Sequence, residues 1–348
     1  MTFADELKSA VTPRAALLVL GVLVLQLLFI ASYVGALHHP KPTDVAFGVV
    51  APKEAAERTK EKLARLPGKP LDPRVVEDEA EARRQIMDRE IDGALVVDPR
   101  GTTDTLLVAS GGGKALANAL ETIATKAEGG GESGPKRTVK TVDVAPASPQ
   151  DFNGLSSFYL VVGWCVGGYL CASIMSISAG AKAATPQRAA IRLGAMALLA
   201  IAGGLGGAVI VGPVLDALPG SIMGLWGLGA LLTFAVGAIT LALEELTGIV
   251  GIGLAVLLIV VAGNPSAGGA FPLPMLPPFW EAIGPALPPG AGTWVARSIA
   301  YFEGNAVTGP LLVLSAWAVA GAAVTLLAPK LRRRADRGAA SPSGVRGL

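Results

Sequence analysis

The chain has 348 residues, 51% hydrophobic and only 16% charged, with 29 Lys and Arg against 27 Asp and Glu. A soluble domain carries about 25% charged residues, so this composition excludes a wholly soluble protein and indicates an integral membrane protein with a minority soluble part. The net charge of +2 says little about partners, because its distribution matters more; the lipid bilayer is the partner expected, and no nucleic acid is.

Residues 1–12 place Phe3, Leu7 and Val11 at helical spacing with Asp5, Glu6 and Lys8 between them, the pattern of a short interfacial helix on the cytoplasmic face. Pro13 opens an apolar run over 15–37 in which Gln26 is the one strongly polar side chain. At about 23 residues it is long enough to span a bilayer. It is long for a signal peptide, so 13–38 reads as a retained first span.

Residues 39–150 are different material, with balanced charges and a periodicity that alternates between strand and helix. Strands are predicted at 45–50, 74–76, 93–97, 106–109 and 139–144. Helices are predicted at 54–66, 79–89 and 114–126, with a Gly-rich break at 129–135. Strands separated by helices predict a small α/β domain of about 110 residues, enough for its own core. Within it, Ser110-Gly111-Gly112-Gly113-Lys114 invites a phosphate-loop reading that fails, because Val108 and Ala115 stand where that loop needs Gly and Ser or Thr. What remains is a glycine-rich helix start able to hold an anion, or a plain turn.

Further spans are predicted at 155–178, 193–214, 222–243, 246–261 (a little short) and 311–327, making 151–330 a five-span domain with a basic tail at 331–348. Gly163 and Gly167, and Gly203 and Gly207, stand in G-x-x-x-G spacing, which lets helices approach closely in lipid. Cys165 and Cys171 read as small apolar side chains of a membrane helix. The expected fold is an α-helical polytopic membrane protein of six transmembrane helices, with a small extracytoplasmic α/β domain inserted between spans 1 and 2.

Between the last two spans lies a segment, 264–305, whose first part is dense in Pro and Gly yet rich in Phe271, Leu273, Met275, Leu276, Phe279 and Trp280. Such backbone resists a regular helix. An irregular apolar segment between spans reads as a dip to the membrane surface, viable only where protein or a wet cavity satisfies its peptide groups. The residues Asn264, Pro265, Ser266, Gly268, Gly269, Pro272, Pro274, Pro277 and Trp280, ending in Leu276-Pro277-Pro278-Phe279-Trp280, resemble a motif of the YhgE/Pip group within the ABC-2 type transporter permeases. A second stretch, from Asp88-Arg89-Glu90-Ile91-Asp92-Gly93 to Ser110, resembles the outer domain of the same group.

The basic flanks Lys182, Arg188 and Arg192, and Lys330, Arg332, Arg333, Arg334 and Arg337, predict cytoplasmic termini in the cell membrane. Glu244 and Glu245 read as a solvated inner turn. The chain carries no nucleotide-binding motif, catalytic pair or metal-ligand cluster, so it is not read as an enzyme and no cofactor is expected. The resemblance implies the membrane subunit of an exporter for a hydrophobic or amphipathic substrate, working as a homodimer or heterodimer with a separate nucleotide-binding ATPase. By position, the inner loop with Lys182, Pro186, Arg188 and Arg192 resembles the element that couples to that ATPase. Two other classes stay open: a non-transporting binding or scaffold protein of the envelope, and an ion-coupled carrier.

Overall fold

The structure is a computed structural model that describes Thr2, Glu6 and residues 12–129 and 137–339. The interfacial helix expected at 1–12 lies almost wholly outside the described residues, as do most of the Gly-rich break and the end of the basic tail. The chain is mostly helical, and five of the described helices are long and apolar enough to cross a membrane.

The first, α1 (Pro13–Leu37), starts on Thr12, whose Oγ1 accepts from the Ala15 N–H at 3.2 Å, with Pro13 at its first position. Its side chains are exposed along most of its length; Ser32 and Ala36 near its far end are buried.

Next comes the α/β unit: β1 (Val45–Val50), α2 (Lys53–Ala64), β2 (Leu71–Val75), α3 (Glu79–Met87), β3 (Gly93–Val96), β4 (Thr103–Val108), α4 (Lys114–Gly129) and β5 (Thr138–Asp143). The strands form one mixed sheet in the order β2-β1-β3-β4-β5. β1 runs parallel to both β2 and β3, with Val45 opposite Leu71 and Phe47 opposite Gly93. β4 turns antiparallel to β3 and parallel to β5. Val45, Phe47, Val49, Leu95 and Leu106 pack with Leu63 of α2 and Leu116 and Leu120 of α4 on one face. Val50, Ala94 and Leu107 pack with Ala82 and Ile86 of α3 on the other. β2 begins at Leu71, earlier than predicted, because it is an edge strand that tolerates the missing N–H of Pro73.

The membrane bundle follows. α5 (Ser156–Ala179) and α6 (Pro186–Val209, extended by a π turn over Ile210–Val214) lie against the central α7 (Ile222–Thr247). α8 (Val250–Val256) continues through a π-helical stretch, Leu257–Gly263. At about 14 residues it rises about 21 Å, short of the ~30 Å hydrocarbon thickness, so it is not among the candidate spans. Between α8 and the last helix, α11 (Thr308–Ala339), the Pro-rich segment forms two helices, α9 (Pro278–Ile283) and the almost wholly buried α10 (Pro288–Tyr301). The irregular backbone expected at the start of the segment is found over 264–277 apart from one short turn, Leu273–Met275, whereas 288–301, for which the sequence predicts no element, is helical. Pro288 and Pro289 occupy the first turn, where no N–H is needed, and leave the rest free to coil.

The close approaches to α7 come one per neighbouring helix. A Cβ at Gly168 of α5 would lie 2.7 Å from the Thr233 oxygen, at Gly204 of α6 2.6 Å from the Ala230 nitrogen, and at Gly321 of α11 2.5 Å from the Ile239 nitrogen. The residues expected at close contacts sit mostly elsewhere. Gly163, Gly167 and Gly203 have no atom within 4 Å of such a Cβ and face a laterally open apolar groove of about 520 Å³ between α5 and α6, while Gly207 meets the Trp164 ring. Small residues on two faces of one helix give the same spacing, so the spacing could not choose the packed face.

Candidate functional site

The two stretches that carried the family resemblance meet at one cavity. It is about 320 Å³ and lies between the α/β unit and the Pro-rich segment, lined on one side by Arg89, Glu90, Asp92, Gly112 and Gly113 and on the other by Gly268, Pro272, Pro274, Glu281, Trp294 and Arg297.

Arg89 follows the C-terminus of α3 and adopts φ 59°, a left-handed conformation that costs a non-glycine residue of order 1–3 kcal/mol. The turn swings its side chain onto α10. The guanidinium lies 3.4 Å from the centroid of the Trp294 ring and 4.8 Å from that of Phe302. Its Nη1 donates to the Trp294 carbonyl at 3.0 Å and to Ser298 Oγ at 2.9 Å. Stacking on an enclosed aromatic face contributes about 1–2 kcal/mol and charged hydrogen bonds a similar amount, which offsets the backbone strain. Trp294 is itself fixed by its Nε1 donating to the Ala306 carbonyl at 2.9 Å, and Asn305 Nδ2 donates to Asp88 Oδ1 at 3.1 Å beside it.

Arg297, one turn further along α10, is 3% exposed. Its Nη1 donates to the Gly268 carbonyl and its Nη2 to the Gly269 carbonyl, both at 2.7 Å, and Nη2 also reaches Gly154 at 3.3 Å. These carbonyls lie in turns outside helix and strand, so one guanidinium satisfies two acceptors of the Pro-rich segment and one of the turn before α5. Its Nε is buried without a partner among the described residues. Burial pushes Arg297 down to about 10 and Arg89 down to about 9. It pushes Asp92 up to about 6, against the opposing pull of the Arg89 and Arg74 charges. Glu281 is raised too, by burial and then by the Asp44 carboxylate.

The glycines of Ser110–Gly112 and Gly113 serve this junction. Gly113, at φ 152°, leaves no room for a Cβ against Pro272, and one at Gly111 would meet the Tyr301 ring at 2.5 Å. Lys114 is engaged elsewhere, donating to the Phe152 carbonyl at 2.5 Å. Tyr301 donates to Asp151 Oδ2 at 3.1 Å, and Asp151 Oδ1 caps α5 by accepting from Leu155 and Ser156. The linker after α1 is held as well: the Lys41 and Thr43 N–H groups donate to the Met275 and Pro274 carbonyls.

Among the motif residues, Gly268, Pro272 and Pro274 line the cavity, and Gly269 adds its carbonyl to the Arg297 clamp. Pro265 and Ser266 are buried behind it, with Ser266 Oγ donating to the Ala262 carbonyl at 2.8 Å. Asn264 caps the π-helical stretch with Oδ1 unpartnered among the described residues, Pro277 caps α9, and Trp280 packs edge-on against Phe279. Sequence reasoning missed Arg89, Asp92, Trp294 and Arg297 as site residues. The signal for Arg297 was present, because it is the one basic residue in an otherwise apolar stretch.

At the opposite end of the bundle, the loop between α5 and α6 is bound to the ends of α7 and α11. Arg192 is turned inward and donates to the Ala179 and Gly180 carbonyls. Glu245 accepts from the Ala183 N–H at 2.5 Å and pairs with Arg332 at 2.7 Å. Glu244 accepts from Ser176 Oγ, and both glutamates are buried. This corrects the reading of a solvated turn: α7 runs on to Thr247, which draws both carboxylates into the helix packing. Lys182 and Arg188 stay exposed, and Pro186 starts α6 behind the Thr185 cap. Among the described residues no group of three or more His, Cys, Asp or Glu is placed to hold a metal ion. Comparison with family models, curated proteins and solved structures finds no match to this chain.

Proposed function

We propose that this chain is the membrane subunit of an ABC-2-like exporter, driven by a separate ATPase and moving an amphipathic molecule. In this reading six segments cross or enter the cell membrane, α8 being the short one. Both termini are cytoplasmic, and the α/β unit and Pro-rich segment lie outside. The basic loop between α5 and α6 then faces the cytoplasm with the basic end of α11.

The observation that carries the proposal is the construction of that loop. Arg192, Glu245 and Arg332 tie it to the ends of four helices, while Lys182 and Arg188 are left exposed. A push on the exposed face is transmitted to α5, α6, α7 and α11 together, which is what a coupling element requires. The sequence offers no internal energy source, and the energy must come from a second subunit.

The test is affinity purification from native membranes. A nucleotide-binding subunit is expected to be retained and to be lost when Lys182 and Arg188 are changed to Glu. A clean preparation of this chain alone favours a second reading, a binding protein of the envelope. The cavity at the junction of the α/β unit and the bundle favours that reading, because it exists without any partner.

A further inference from the structure

Five charged side chains line the junction cavity: Arg89, Glu90, Asp92, Glu281 and Arg297. None of the five is in an ion pair among the described residues. Elsewhere in the α/β unit several charges are paired. Arg84 pairs with Glu81 and Asp88, Arg137 with Asp104, and Lys62 with Glu128. Arg89 and Asp92 attract each other only beyond ion-pair distance, and charges of both signs held without close counter-charges in a partly enclosed space cost free energy unless something else matches them. Arg89 uses only Nη1 on protein acceptors, so Nε and Nη2 have no protein partner among the described residues. The carboxylates of Asp92 and Glu281 accept no hydrogen bond there.

The cavity does not end at its charged floor. Leu273, Pro285, Gly290 and Trp294 also line a second, largely apolar groove of about 490 Å³. It runs past Ala306 to Thr308, Gly309 and Pro310 at the start of α11, a candidate membrane span. The two spaces thus share Leu273, Pro285, Gly290 and Trp294, so a chamber with both charge signs adjoins a largely apolar groove that reaches the start of a candidate span. Each space falls in the range of about 300–1,000 Å³ usual for ligand sites.

We propose that chamber and groove together bind a zwitterionic amphiphile, its anionic group on the free edge of Arg89, its ammonium between Asp92 and Glu281, and its acyl chain in the groove beyond Trp294. A purely anionic amphiphile would leave the carboxylates unmatched and close to its own charge. A cationic one would meet Arg89 and Arg297. A soluble zwitterion would leave the groove empty and forgo about 25 cal/mol for each Å² of apolar surface buried there. As the cargo of a permease this ligand rests on the reading above; as a ligand it does not.

The experiment is native mass spectrometry of the full-length protein in detergent, titrated with palmitoyl-lysophosphatidylethanolamine. Palmitoyl-lysophosphatidate serves as the anionic counterpart and free phosphoethanolamine as the headgroup without a chain. The zwitterionic lysolipid is expected to bind about tenfold or more tightly than either. Arg89→Gln is expected to weaken it about tenfold, in line with loss of a charged hydrogen bond. Because Arg89 also anchors α10, Glu281→Gln is the cleaner variant. Glu281 makes no hydrogen bond or ion pair among the described residues, and its loss should bring the two lysolipids to equal affinity.

Equal or tighter binding of lysophosphatidate by the unaltered protein would overturn the proposal. So would competition by free phosphoethanolamine as strong as that of the lipid, which would make the ligand a soluble one. Binding of the zwitterion by a preparation that retains no ATPase supports the ligand assignment while removing the permease reading. Retention of an ATPase with no lysolipid bound does the reverse.

Discussion

The guanidinium of Arg89, just past the end of α3, the second helix of the α/β unit, lies 3.4 Å from the ring centroid of Trp294, on a buried helix of the Pro-rich segment. The two residues are 205 positions apart, and the Arg89 Nη1 also bonds the Trp294 carbonyl. This contact fixes the α/β unit onto the bundle and forms one wall of the charged cavity.

Arg89→Lys keeps the charge but loses the planar stack and the fork of donors. It is expected to lower stability by about 1–2 kcal/mol. Thermal unfolding in detergent, combined with the rate of proteolysis within residues 39–150, checks this. Unchanged melting and unchanged proteolysis would show that the contact does not hold the two parts together.

Gly168→Ala and Gly163→Ala form a matched pair on one helix. The first would press a methyl group against the backbone of α7 at 2.7 Å, and overpacking of this kind costs about 1–3 kcal/mol. The second meets nothing within 4 Å and should change the stability of the single chain by less than about 0.5 kcal/mol. Equal losses for the two would contradict the assignment of the packed face. A loss for Gly163→Ala that appears only at high protein concentration would point to a second copy of the chain on the groove.

Asp92 gives a pH dependence of definite sign. Burial raises its folded pKa from 3.8 to about 6, so the folded state binds the proton more tightly than the unfolded chain does. Stability from this group is greatest below pH 3.8 and falls as pH rises toward 6. Asp92→Asn, which mimics the neutral form, should therefore stabilise the protein at pH 7 and leave it nearly unchanged near pH 4. Melting curves at the two pH values decide it, and a destabilised variant at pH 7 would refute the burial argument.

Much of the fold could be read along the chain because its signals are local. The apolar runs at 15–37 and 222–243 and the short apolar stretch at 45–50 each identify an element without reference to any other. The buried helix Pro288–Tyr301 was hidden because its prolines and glycines look like a loop until they are recognised as a helix start. The site was harder still. Arg89 and Arg297 are made important by partners 205 and 29 positions away, and no spacing along the chain joins them. The glutamates Glu244 and Glu245 mislead in the same way, since only the folded bundle brings Arg332 and Ser176 to them.

The inner loop separates a structural arginine from a contact arginine. Arg192→Ala removes donors to the Ala179 and Gly180 carbonyls and is expected to destabilise the bundle by about 2 kcal/mol or more. Arg188→Glu, on the exposed face, should leave the melting temperature unchanged while acting on partner binding. A loss of stability for both would show that the loop face is already used within the chain.

The most direct measurement is ATP turnover by the complex purified through this chain, with and without palmitoyl-lysophosphatidylethanolamine, in the unaltered protein and in the Lys182→Glu, Arg188→Glu double variant. The account predicts that the lysolipid stimulates turnover severalfold and that the double variant, folded and melting as before, retains no ATPase. Turnover that copurifies with the double variant and ignores the lysolipid, or no turnover in the unaltered preparation, would contradict it.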